Sequence, residues 1–118
     1  MNILVIGDIV GTSGVNKVKK ELPNYIKENN IDFVIANAEN SADGMGITSK
    51  IFKELIVSGV NVVTMGNHTW GKKDIFSFID DEPTLIRPAN YAEELVGRGY
   101  TIAKCKDKKI AVINLITN

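Results

Sequence analysis

Apolar residues along the chain follow two periods that take turns. Residues 2–7, Asn-Ile-Leu-Val-Ile-Gly, form a near-continuous apolar run, the pattern of a parallel strand covered on both faces. Val15, Val18, Leu22, Tyr25 and Ile26 then recur at helical spacing, with lysines on the opposite face. Thr12 or Ser13 is placed to cap this helix, Asn29-Asn30 closes the segment, and Pro23 is expected to kink or break it. A second strand is predicted over 31–36. Thr48 then caps a helix whose buried stripe is Ile51, Phe52, Leu55 and Ile56, and Gly59 ends it. The β-branched run 60–65 gives a third strand, and 72–78 a shorter helix.

Beyond that point the rhythm changes. Leu85-Ile86 reads as a brief strand leading into Arg87-Pro88-Ala89-Asn90. Residues 100–105 and 109–116 are strand candidates joined through Lys106-Asp107-Lys108, a hairpin whose second strand is apolar enough to expect burial. The predicted fold class is therefore α/β: a βαβαβ parallel sheet with flanking helices, plus a C-terminal β-hairpin.

Composition narrows the function classes. The chain has 118 residues, so one domain at most, and 14 basic residues balance 14 acidic ones. No overall positive field favours bulk nucleic-acid binding or a membrane surface, though one phosphate in a local site is compatible with neutrality. No apolar run is long enough for a membrane span, and the chain enters its first strand without a leader pattern. The single cysteine, Cys105, forms no internal disulfide, reads as packing, and fits a reducing, cytoplasmic setting.

The candidate chemistry lies where the strands end. Asp8, Glu39 and Asn67 each stand just past a predicted strand, at steps of about 30 residues, the length of a βαβ unit. Parallel strands place all three on one edge of the sheet, where open α/β sheets bind ligands. Asn40 and His68, the only histidine, accompany them. Carboxylates, carboxamides and imidazole are ligands for hard or borderline divalent cations. A carboxylate is able to bridge two metals about 3.5–4 Å apart, and Glu39, from the central segment, is the natural bridge. Each residue also has a plainer reading. Asp8 would serve as a loop or capping residue, Glu39-Asn40 as a solvated loop, and His68 as a hydrogen-bonded loop histidine. Gly7, Gly11 and Gly14 only loosely imitate a dinucleotide loop, and Asp8 would repel a pyrophosphate there. Trp70 reads as packing before base stacking, and Arg87 as a surface arginine before a phosphate ligand.

Four segments carry a resemblance: Ile6-Gly7-Asp8-Ile9-Val10-Gly11, Asn37-Ala38-Glu39-Asn40, Thr64-Met65-Gly66-Asn67-His68-Thr69-Trp70 and Leu85-Ile86-Arg87-Pro88-Ala89-Asn90. In that order they resemble the YmdB-like branch of the calcineurin-like metallophosphoesterases. Val10, where the wider superfamily has a histidine, and the Glu39-Asn40 pair are both typical of that branch. The resemblance implies the first half of a four-layer α/β/β/α sandwich, with residues 1–118 as the N-terminal portion of a single domain. It implies a phosphodiesterase acting on small cyclic nucleotides of the 2′,3′-cyclic class through two first-row metal ions, iron or manganese among them. Asp8 and Asn40 would bind one metal and Asn67 the other, with Glu39 bridging. Water activated by the cations would attack phosphorus, and His68 would protonate the leaving oxygen.

The family completes its metal sites with histidines from a second half, and no histidine follows His68 here. This chain alone is therefore expected to hold metal weakly or not at all and to have little activity. The alternatives are a non-catalytic module that self-associates as a homo-oligomer through an exposed apolar face, and, more distantly, a nucleotide-binding domain.

Overall fold

The computed structural model describes residues 1–117 and consists of a helix layer, a parallel sheet and a hairpin layer. The strands β1 (Ile3–Ile6), β2 (Phe33–Asn37), β3 (Val62–Thr64) and β4 (Leu85–Ile86) pair in chain order, all parallel. Two helices cross between them: α1 (Gly11–Glu28) joins β1 to β2, and α2 (Ser49–Ser58) joins β2 to β3. The antiparallel strands β5 (Tyr100–Cys105) and β6 (Lys108–Ile113) form a separate two-stranded sheet.

Strand alternation assigns each apolar side chain to a layer. On β2, Val34 and Ala36 join the core with Val15 and Leu22 of α1 and Phe52 and Leu55 of α2. Phe33 and Ile35 point the other way, packing with Val62 and Ile86 against Cys105, Val112, Ala103 and Ile110 of the hairpin. The α/β architecture, the consecutive parallel strands and the hairpin all match the sequence pattern, and Cys105 is a packing residue as expected.

Several local expectations do not hold. Helix α1 runs unbroken through Pro23. That residue is exposed, so the Lys19 carbonyl deprived of its helical partner faces water. Neither Thr12 nor Ser13 caps α1; both lie inside it, and Val10 stands at the N-cap without a side-chain bond. Thr48 does cap α2, accepting from the Ile51 N–H at 3.3 Å. Residues Lys73–Ser77 form a 3-10 turn rather than an α-helix, followed by another at Ile79–Asp81.

The first and last strands are the larger departures. Strand β1 is covered on its helix face only: Val5 is 67% exposed on the other, because the hairpin lies over β2, β3 and β4 and stops short of β1. Only Val112 of β6 is buried, and Ile113 is 64% exposed, so the hairpin's outer face is open. Strand β6 also ends at Ile113, three residues before the predicted end. The Asn114 N–H still bonds Gly99 O at 2.9 Å in the hairpin register, and beyond it Ile116 turns to a reciprocal pair with Asn90.

The hairpin is tied to the sheet at its other end by Asp32, just before β2. Its carboxylate receives Lys106 Nζ at 2.8 Å and the Asn2 N–H at 2.8 Å. The hydrogen bond from Lys106 and that from Asn2 hold the Asp32 carboxyl below its usual range and, reciprocally, Asp32 pushes Lys106 up.

Candidate active-site edge

The loops that leave β1, β2 and β3 meet at the C-terminal edge of the parallel sheet. Strand pairing extends into them: Ile9 N–H reaches Asn37 O at 3.0 Å, Gly11 N–H reaches Asn40 O at 3.0 Å, and Ala38 N–H reaches Thr64 O at 3.0 Å. The backbone beneath the edge is therefore fixed by ladder bonds, and the side chains above it are brought together from positions far apart in sequence.

Asp8 accepts from Asn40 Nδ2 through both carboxylate oxygens, at 2.9 and 3.0 Å. Asn40 Oδ1 is bonded to His68 Nδ1. Glu39 accepts from Asn37 Nδ2 at 3.3 Å and from the His68 backbone N–H at 3.3 Å. Asp8, Glu39, Asn40 and His68 thus form one connected cluster, and Asn67 stands exposed beside His68. Asp8 is not a helix cap and lies in the loop after β1.

Two glycines make the cluster possible. A Cβ on Gly66 would lie 2.3 Å from Glu39 Oε1, so only glycine at the exit of β3 leaves room for the carboxylate. Gly46 has a φ of +87°, and a Cβ there would lie 2.8 Å from the Lys72 nitrogen, which lets the loop after β2 close against the segment after His68. That loop is further held by Ser41 Oγ, which donates to Ala38 O at 2.7 Å.

Supporting residues that the sequence did not single out come from downstream. Tyr91 OH donates to Gly66 O at 3.2 Å, and Thr69 Oγ1 to the same carbonyl at 2.5 Å. Asn114 Nδ2 donates to Met65 O at 2.5 Å and Ile86 O at 3.2 Å, bracing the ends of β3 and β4. Tyr91 sits in an irregular segment, and Asn114 stands within the run predicted as the last strand, one residue past its observed end. Trp70 packs between Phe76 and Tyr91, with ring centroids 5.3 and 6.4 Å away, in keeping with a packing role. Arg87 departs from both of its sequence readings. It is only 5% exposed, and its guanidinium donates to the carbonyls of Val96, Pro88, Leu95 and Gly97 at 3.1, 3.0, 3.1 and 3.5 Å. It clamps the loop before β5, leaving no free fork for a phosphate.

The donor chemistry suits cations that prefer oxygen: two carboxylates and two carboxamides on one edge, with a glycine cradle under Glu39. Among the described residues no group of three His, Cys, Asp or Glu side chains converges as a metal cluster. A cavity of about 470 Å³ opens between Asp80, Pro83, Arg98 and Tyr100 and includes none of the edge residues. It is a gap between the second 3-10 turn and the hairpin.

Fold and edge together define an open parallel α/β protein that presents a polar, partly acidic cluster at the carboxyl ends of consecutive strands. The chain belongs to the YmdB-like protein family, whose model matches residues 4–118. It is 51% identical over 115 residues to the 2′,3′-cyclic-nucleotide 2′-phosphodiesterase of Bacillus subtilis (strain 168), covering 98% of this chain and 44% of that protein. Two crystal structures share the fold. One is a hypothetical protein of Thermus thermophilus, with a TM-score of 0.89 at 30% identity, covering 98% of this chain and 44% of that one. The other is described as a novel phosphatase of Mycoplasma pneumoniae, with a TM-score of 0.87 at 34% identity, covering 96% and 42%. The chain spans less than half the length of the curated relatives it matches. No helix among the described residues is long and apolar enough to cross a membrane.

Proposed function

We propose that this chain is the N-terminal portion of a metal-dependent phosphodiesterase domain whose substrates are small cyclic nucleotides of the 2′,3′-cyclic class. The observation that carries the reading is the convergence of Asp8, Glu39, Asn40, Asn67 and His68 on one sheet edge, in a chain half identical to a protein named for that activity. Asp8 and Asn40 would hold one cation, Asn67 a second, and Glu39 would lie between them; iron or manganese suits this donor set. When bound, such ions supply an activated water near neutral pH and offset charge on the phosphoryl oxygens.

The chain's own residues do the rest. Gly66 keeps Glu39 close to the strand end, and the His68 N–H holds that carboxylate in place. His68, beside Asn67 yet itself outside the proposed ligand set, protonates the leaving ribose oxygen. With protein donors from one half only, each cation is under-coordinated, so the isolated chain has little turnover.

The test is a chimera. Residues 1–118 replace the matching segment of the Bacillus subtilis relative, and hydrolysis of 2′,3′-cyclic AMP is measured with Mn²⁺. The chimera is expected to be active and to lose activity with His68→Ala or Glu39→Gln. A well-folded chimera without activity would overturn the phosphodiesterase reading, and relative-like turnover by the isolated chain would overturn the partial-site reading.

A second reading has its own support. Ile3, Val5, Ile102, Ile113 and Leu115 are all exposed, and β1 is an unpaired sheet edge without a proline or lysine to guard it. Self-association through these residues is the alternative, and a compact monomer by light scattering would count against it.

A further inference from the structure

Proline at position 88 leaves a gap in the sheet beside the candidate edge. In the parallel pairing of β3 with β4, Val63 stands opposite Leu85 and Thr64 opposite Ile86. The Val63 N–H bonds Thr84 O at 2.8 Å, and the Met65 N–H bonds Ile86 O at 3.0 Å. A parallel ladder continued by one step would return a bond to Met65 O from the N–H of residue 88. That residue is proline, which has no N–H to give. Met65 is only 1% exposed, so water is a poor substitute, and a buried carbonyl left without a donor is costly.

Asn114, just past β6, fills the gap from another layer. Its Nδ2 donates to Met65 O at 2.5 Å and to Ile86 O at 3.2 Å. Carbonyl oxygens only accept, so the amide nitrogen is the end that faces this pair, with one hydrogen for each. The backbone of Asn114 is itself held: its N–H bonds Gly99 O at 2.9 Å, and its carbonyl receives the Ala89 N–H at 2.7 Å. We infer that Asn114 is a positioning residue of the edge: its carboxamide supplies the hydrogen bond that Pro88 withholds from Met65, and so fixes the backbone that carries Asn67 and His68.

The need for such a restraint follows from Gly66. Glycine is required there because a Cβ would collide with Glu39 Oε1, yet glycine is also the residue whose backbone is freest. Both peptide groups that flank it are held by side-chain donors. Asn114 takes Met65 O, while Thr69 Oγ1 and Tyr91 OH take Gly66 O at 2.5 and 3.2 Å. With these two planes set, the His68 N–H reaches Glu39 Oε2 at 3.3 Å. A side chain from the end of the hairpin thus acts on the edge through the backbone at the exit of β3. The meaning of this for catalysis rests on the phosphodiesterase reading given above.

Native-state hydrogen exchange of the nitrogen-15-labelled 118-residue chain, treated with a chelator, tests the inference. Asn114→Ala removes the donor and should speed exchange of the Met65, His68 and Thr69 amides about tenfold beyond any change in the β1–β2 ladder. Pro88→Ala added to that variant restores an N–H where the ladder calls for one, and should return most of the lost protection. A residue that only adds to packing would raise exchange throughout the sheet, and a new N–H at position 88 would not rescue it. Equal acceleration everywhere, no acceleration at residues 65–69, or a double variant no better protected than Asn114→Ala would each overturn the inference. Should Asn114→Ala fail to fold, the wild-type chain decides: the Asn114 side-chain amide is expected to exchange slowly, and exchange as fast as that of a free asparagine amide would overturn the inference. These readouts need neither metal nor substrate, so an inactive chimera would sink the phosphodiesterase reading while this test still decides its own question.

Discussion

Replacing Arg87 tests whether the loop before β5 is built around a buried cation. The guanidinium is 5% exposed and donates to four backbone carbonyls, of residues 88, 95, 96 and 97. A hydrogen bond from a charged donor contributes about 1.5–3 kcal/mol net, and an abandoned buried carbonyl costs about 1–3 kcal/mol. Simple addition overshoots, because the loop relaxes and water enters. Losing the whole clamp in Arg87→Ala should cost about 3–5 kcal/mol, the usual range for removing one side of a buried charged network. That is a large share of the roughly 5–15 kcal/mol that holds a domain of this size. Arg87→Lys keeps the charge, but one ammonium cannot span carbonyls on both sides of the loop, so about 2 kcal/mol should be lost. Urea unfolding followed by far-UV circular dichroism measures both variants. If each lies within about 0.5 kcal/mol of wild type, as ordinary surface changes do, the clamp is not structural. A wild-type stability gain from inorganic phosphate that is absent in Arg87→Lys would likewise restore a ligand-binding role.

Two further changes probe other parts of the account. Gly66→Ala sets a Cβ against the end of the flexible Glu39 side chain, so the chain should fold with a loss of about 1–2 kcal/mol while affinity for Mn²⁺ at the edge falls; a loss of folding would show that the backbone, not the carboxylate, fills that space. The Asp32–Lys106 pair gives a pH signature. Because Lys106 and the Asn2 N–H hold the folded Asp32 carboxyl below its usual range, its contribution is fully present above the unfolded value, about 4, and disappears as pH falls through the folded one. Asp32→Asn should flatten the acid limb of a stability–pH profile, and an unchanged limb would remove this pair from the explanation.

The parts of the fold legible in the sequence are those governed by local period and turn chemistry. Strand exits at Asp8, Glu39 and Asn67 are marked by apolar runs that stop at a polar residue or glycine, and parallel pairing follows from their spacing. What was not legible depends on neighbours remote in sequence. An apolar run does not disclose whether a second layer reaches it, so β1 and β6 read as buried although the hairpin stops short of β1 and its own outer face is open. Pro23 is tolerated because its turn of α1 faces water, a matter of helix orientation. The surroundings of Arg87 are assembled by residues 95–97, which carry no signal of their own. The candidate residues of the edge were readable one by one. Their connection through Asn40, and the bracing by Tyr91 and Asn114, come only from the three-dimensional arrangement.

The central claim is that these strand ends form a cation-binding edge, complete or not. Titration of the nitrogen-15-labelled chain with Mn²⁺ tests it most directly, since a paramagnetic ion broadens nearby amide signals even when binding is weak. Amides of residues 8–9, 38–40 and 66–68 should broaden first, and Glu39→Gln should abolish that preference. Broadening led by the acidic run Asp80-Asp81-Glu82, with the strand ends unaffected, would contradict the account.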